Sequence, residues 1–114
     1  MRPIPKSVRD RLSDDPLMAA CCVPGCFRRP EWHHAVISAG RQVSEWWAIV
    51  PLCPQHHRLG RKWHRFAKAV ALMRASDSEL GAVGKGGLLD ERDRLAAEFG
   101  EEYDRLINER YGHE

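Results

Sequence analysis

The stretch Glu31-Trp32-His33-His34-Ala35-Val36 sets two imidazoles side by side, and Pro51-Leu52-Cys53-Pro54-Gln55-His56-His57-Arg58 does so again. Four of the six histidines lie in these two pairs. Imidazole ligates metal ions and accepts protons near neutral pH. Neighbouring side chains point to opposite faces of a strand and diverge by about 100° on a helix, so one ion rarely takes both members of a pair. The members of each pair are therefore expected to do different jobs. The cysteines sharpen this expectation. Cys21-x4-Cys26 forms a knuckle around Pro24-Gly25, and Cys53-Pro-Gln-His56 has the i, i+3 spacing of a first helical turn. Together they make a Cys3His set suited to a closed, tetrahedral structural zinc site. Cys22 is the spare thiol. It can replace Cys21 through a shorter Cys22-x3-Cys26 loop, and the bland alternative makes some of these thiols small buried hydrophobes. With Cys53 and His56 on zinc, His57 is left to face elsewhere, and His33, His34 and His64 are left with it to line a second, open site.

Several elements must position these groups. Ser7 can cap a short helix through Leu12 that ends near Asp15-Pro16. Cys21 to Pro30 reads as turn chemistry. Strands are expected over Glu31–Ile37 and Trp46–Leu52, joined by a loop over Ser38–Gln42. A helix should start at Pro54, with Gly60 as a point of interruption, and resume over Trp63–Ala75 with Phe66, Ala69, Val70 and Met73 as its apolar stripe. Gly81–Gly87 reads as a flexible linker. A final amphipathic helix spans Leu88–Tyr111, with Leu95, Phe99, Tyr103, Leu106 and Ile107 on one face, as a packing or pairing element. The expectation is one α+β domain over residues 1–114, with His113 in its tail. The tryptophans Trp32, Trp46 and Trp47 are read as packing residues.

Composition bounds the setting. Charged residues make up 30% and hydrophobic ones 43%, an ordinary balance for a globular domain. No apolar run reaches the roughly 20 residues that span a bilayer, and the N-terminus lacks the apolar core of a signal peptide. A cytoplasmic location with reduced thiols and no membrane partner is the default expectation. Residues 1–75 carry 13 Lys/Arg against 5 Asp/Glu, and residues 76–114 carry 5 against 11, so +8 and −6 lie behind the net +2. A basic half suits a polyanionic partner, because neutralised phosphates supply most non-specific affinity for nucleic acid. Scattered surface arginines give the same numbers without a partner.

Cys21-x4-Cys26, the pair His33-His34, and then Leu52-Cys53-x2-His56-His57 together resemble the HNH endonuclease family, closest to its small zinc-stapled members of phages and prophages. The resemblance covers about residues 18–66. It implies a ββα-metal core with a structural zinc, flanked by a short N-terminal helix and by C-terminal helices (88–111 the last). It also implies the roles within each pair. His33 would ligate a catalytic divalent ion (Mg2+, Mn2+, Ni2+ or Zn2+), and His34 would be the general base. His57 would be a second ligand of that ion. The family carries a further histidine four residues on, where Arg61 stands here. His64 is seven residues on, about 10 Å along a straight helix, and reaches the ion only across a break at Gly60. The family's middle asparagine has no counterpart between His34 and His57; Ser44 is the nearest substitute as a loop support, with Gln42 behind it. Arg58, Arg61, Lys62 and Arg65 share the helical region of His57 and are the candidate phosphate contacts, with Arg28, Arg29 and Arg41 as an extension. The implied activity is DNA cleavage, and the implied setting is a phage one beside packaging or recombination proteins. A homodimer through the last helix stays open. The competing readings are a zinc-stabilised DNA- or protein-binding module without hydrolysis and, more weakly, a Cys–His hydrolase with Cys22 as nucleophile.

Overall fold

The structure is a computed structural model that describes residues 4–84 and 87–112. Helix α1 (Lys6–Ser13) buries Leu12 against Met18 and Ile49, and a short 3₁₀ turn follows at Pro16–Ala19, capped by the Asp15 carboxylate on the Leu17 N–H. Strand β1 (Glu31–His34) leads into a small hairpin, β2 (Ile37–Ser38) and β3 (Arg41–Gln42). A 3₁₀ turn at Trp46–Ala48 precedes β4 (Ile49–Leu52). Helices α2 (Pro54–Arg58), α3 (Arg61–Arg74), α4 (Asp77–Gly84) and α5 (Gly87–Tyr111) complete the chain.

β1 and β4 form an antiparallel pair, with Glu31 opposite Leu52 and His34 opposite Ile49. This pair followed by α2 and α3 is the frame of the site. The first strand is shorter than the expected Glu31–Ile37. Ala39 and Gly40 both take positive φ, 52° and 77°, the two-residue turn whose twist matches a tight hairpin, so Ile37 pairs with Gln42 instead of extending β1. The second expected strand also starts late. Trp47 is buried in the core, whereas the Trp46 ring lies under the Arg11 guanidinium at 3.7 Å and donates its indole N–H to Glu79. A 3₁₀ turn lets two adjacent indoles find these separate partners.

Helix α3 starts at Arg61, two residues before the expected Trp63, and buries Phe66, Ala69 and Val70 as its pattern predicts. The expected linker over Gly81–Gly87 is corrected by α4, which continues to Gly84; residues 85–86, like His113, lie outside the described residues. Ser76 and Glu79 make a reciprocal capping box: the Glu79 N–H donates to Ser76 Oγ, and the Ser76 N–H donates to Glu79 Oε1. That start signal outweighs the glycines behind it. α5 packs on α3 and α4 through Leu95, Phe99 and Leu106, with Phe66 and Phe99 edge to face at 5.6 Å. No helix among the described residues is long and apolar enough to cross a membrane.

Candidate functional site

Cys53 follows β4 and caps α2, where Pro54 occupies the first helical turn and needs no N–H partner. The Cys53 sulfur accepts the His56 N–H at 3.5 Å, so the cap itself orients both potential ligands. On the other side of the site, Gly25 at φ 82° turns the chain between Cys21 and Cys26, and the Cys26 N–H closes that turn on the Val23 carbonyl at 2.9 Å. The ligand atoms of Cys21, Cys26, Cys53 and His56 all lie within 4.8 Å of one another. His56 Nδ1 is 3.5 Å from Cys21 Sγ and 3.3 Å from Cys53 Sγ. Ligands around a tetrahedral zinc stand roughly 3.5–3.8 Å apart, so this group can hold a metal ion in the manner of structural zinc. Cys21, and not Cys22, belongs to it. Cys22 is wholly buried among apolar side chains, with its N–H on the Pro51 carbonyl, which leaves its thiol a small core residue.

The thiols are tuned by the same packing. Burial pushes Cys21 up to about 12 and raises Cys22 as well. Burial acts the same way on Cys53, but hydrogen bonds from the His56 backbone and from the Cys21 and Cys26 thiols outweigh it and lower that thiol. His56 is lowered by burial and by the Arg28 charge, which favours the neutral imidazole a metal needs.

The end of α5 clamps this knuckle, a function its sequence did not announce. Arg110 donates to the carbonyls of Leu17 at 2.7 Å, Ala20 at 2.9 Å and Cys21, while the Glu109 carboxylate accepts the Gly25 N–H at 3.0 Å. One guanidinium thereby satisfies the backbone that leads into the first ligand.

His33, His57 and His64 converge on a second place. Their ring centroids stand 5.0 Å (His33–His57), 5.3 Å (His33–His64) and 5.0 Å (His57–His64) apart. The break between α2 and α3 makes this happen. Gly60 adopts φ 106°, a conformation closed to most L residues, and turns α3 so that His64 folds back over His57. His64 Nε2 then lies 2.7 Å from the His57 carbonyl oxygen. Imidazoles sharing one ion at about 2.1 Å and tetrahedral angles keep their ring centroids roughly 5 Å apart, so the three rings have the right spacing for a common ion. Burial, then the positive charges His57, His64 and His34 can carry, push His33 down to about 4. His33 is therefore neutral at pH 7, with a lone pair to offer.

β1 pairs only with β4 among the described residues, so its other edge carries no strand. A cleft of about 540 Å³ runs there, lined by Glu31, Trp32, His33, His34, Gln42 and His57. His34 is 7% exposed and reaches this cleft from the opposite face of β1 to His33. Gln42 lines this cleft, and Ser44, the nearest substitute as a loop support, does not. The Ser44 hydroxyl is buried without a hydrogen-bond partner among the described residues.

A second depression of about 550 Å³ adjoins the first through His57 and is lined by Arg58, Gly60, Arg61, His64, Arg65 and Lys68. Arg58 and Arg61 make no ion pair among the described residues, but Arg65 is paired with Glu98 and Lys68 with Glu91 of α5. Lys62 lies over the Trp63 ring at 4.8 Å, away from this depression. Lys68 was not singled out by sequence; its spacing from Arg61 and Arg65 on one helix face was the available signal. No protein-family model, curated protein or solved structure matches the chain.

Proposed function

We propose that the protein is a zinc-stapled, metal-dependent DNA endonuclease of the HNH type. The observation that carries this reading is the convergence of His33, His57 and His64 about 5 Å from ring to ring, beside a cleft that also admits His34. A fold alone supports many chemistries, so the argument rests on this arrangement. In this reading the Cys3His group holds the structural zinc, and the three histidines hold one divalent ion. That ion would supply Lewis-acid stabilisation of the charge that builds on the phosphate and on the leaving oxygen. His34 accepts a proton from the attacking water, the task of a general base within hydrogen-bond reach of its substrate. Arg58 and Arg61 hold the DNA backbone across the neighbouring depression, where neutralised phosphates contribute affinity.

The competing reading is a zinc-stabilised binding module. It requires the histidine trio to be inert, whereas the break at Gly60 and the three-ring cluster are more than a binding helix needs. A pair of variants separates the two. On supercoiled plasmid with Mg2+, Mn2+ or Ni2+, His34→Ala should keep its zinc and its DNA affinity and lose cleavage by on the order of 10²–10⁴. His33→Ala should also lose cleavage, and excess ion should restore part of it. Wild-type protein that binds plasmid and leaves it intact with every ion would establish the binding module instead.

A further inference from the structure

Two acceptors decide which nitrogen each outer ring of the histidine trio presents. His64 Nε2 lies 2.7 Å from the His57 carbonyl oxygen. A carbonyl oxygen only accepts, so Nε2 of His64 carries the hydrogen and the neutral ring keeps its lone pair on Nδ1. His57 Nδ1 stands 3.5 Å from a Glu31 carboxylate oxygen, an ion-pair separation slightly longer than an ordinary hydrogen bond, and both side chains are half-exposed. An ionised carboxylate likewise only accepts, so it selects the Nδ1–H form of His57 and leaves the lone pair on Nε2.

We propose that Glu31 is a positioning residue: its carboxylate fixes the tautomer and ring orientation of His57, so that Nε2 faces the place shared with His33 and His64. The inference rests on the reading of that trio as an ion site and adds a residue that no motif supplied.

The backbone explains why Glu31 can do this. Glu31 and His33 are two apart on β1 and project from one face. Glu31 pairs with Leu52, the last residue of β4, so it stands at the end of the sheet from which Cys53 launches α2. His57 follows within that helix. The strand therefore delivers His33 and the orienting carboxylate together, while the helix delivers His57 between them. All three line the same cleft. A histidine held by a carboxylate through its second nitrogen is a more basic and better aimed ligand, and loss of such a partner typically costs on the order of 10–100-fold in metal affinity.

The test uses the zinc-loaded full chain as wild type, Glu31→Gln and Glu31→Ala. Long-range ¹H–¹⁵N correlation spectra at mildly alkaline pH, before any second ion is added, report each ring's tautomer directly. His57 should be the Nδ1–H form and His64 the Nε2–H form in the wild type. In Glu31→Ala, His57 should shift to a mixture while His64 is unchanged. Titration calorimetry with Ni2+ then reads affinity. Glu31→Ala should bind on the order of 10–100-fold more weakly, and Glu31→Gln, whose amide oxygen still accepts, should lose clearly less. An unchanged His57 tautomer in Glu31→Ala, or equal Ni2+ affinity in wild type and Glu31→Ala, would overturn the proposal. Glu31→Gln falling as far as Glu31→Ala would also overturn it, because a direct ligand would behave that way. Wild-type protein that takes up no Ni2+ would sink the ion-site reading, while the tautomer spectra would still decide the role of Glu31.

Discussion

Adjacent histidines divide their work because a backbone cannot aim neighbours at one point. In the second pair, His56 turns to the sulfurs of Cys21 and Cys53, and His57 turns to the opposite cluster. In the first, His33 joins that cluster and His34 enters the cleft from the other face of β1. The low proton affinity of His33 has a consequence for stability. Its folded-state value of about 4 lies below the usual 6.5, so the unfolded chain binds this proton more readily. The contribution of His33 is fully present above about pH 6.5 and is lost as pH falls through about 4. Thermal melts of the zinc-loaded protein across that window should show a steeper acid loss for the wild type than for His33→Ala. Parallel curves would mean that this ring is not held neutral by its surroundings.

At the scale of elements, the hinge at Gly60 decides whether the trio exists. A Cβ there would meet no neighbouring atom, so Gly60→Ala tests the φ of 106° and nothing else. The expected cost is about 1–2 kcal/mol of backbone strain, or a partial straightening of α2 into α3 that draws His64 away from His57. Ni2+ titration should show weakened uptake with the zinc content unchanged, and unaltered uptake would remove the hinge from the account. The sequence made this hinge visible, since a glycine stood between two helical patterns and His64 needed a bend to matter. The Cys3His group that can hold a metal ion was equally visible, because turn and capping geometry are local. The start of α4 is encoded in Ser76-x-x-Glu79, a local signal that the linker reading of Gly81–Gly87 did not include. What no local pattern could show was pairing across the fold. Glu31 meets His57, Arg110 meets the carbonyls before Cys21, and Gln42 lines the cleft only once the hairpin is placed.

The whole molecule uses α5 to reconcile its two charged halves. The acidic segment packs on the basic one, with Glu91 on Lys68 and Glu98 on Arg65, and this narrows the exposed basic track towards Arg58 and Arg61. The same helix ends on the Cys21–Cys26 knuckle through Glu109 and Arg110, so metal loading and the docking of α5 should stabilise each other. Cys53→Ser removes a ligand and leaves a hydroxyl that can still cap α2. It should abolish cooperative unfolding or shift it far down in temperature, because structural zinc contributes on the order of 10 kcal/mol, comparable with the net stability of a whole domain. A melting curve for Cys53→Ser that matches the wild type would show that the group is not a staple. In the proposed reading one metal group folds the chain and the other cuts DNA. Its most direct test is the cleavage rate of supercoiled plasmid by folded, zinc-loaded protein as a second divalent ion is added. The rate should be near zero without that ion and should rise to saturation with it, while the circular dichroism spectrum stays constant. No cleavage at any concentration of Mg2+, Mn2+ or Ni2+ would contradict the account, as would an equal rate from His34→Ala.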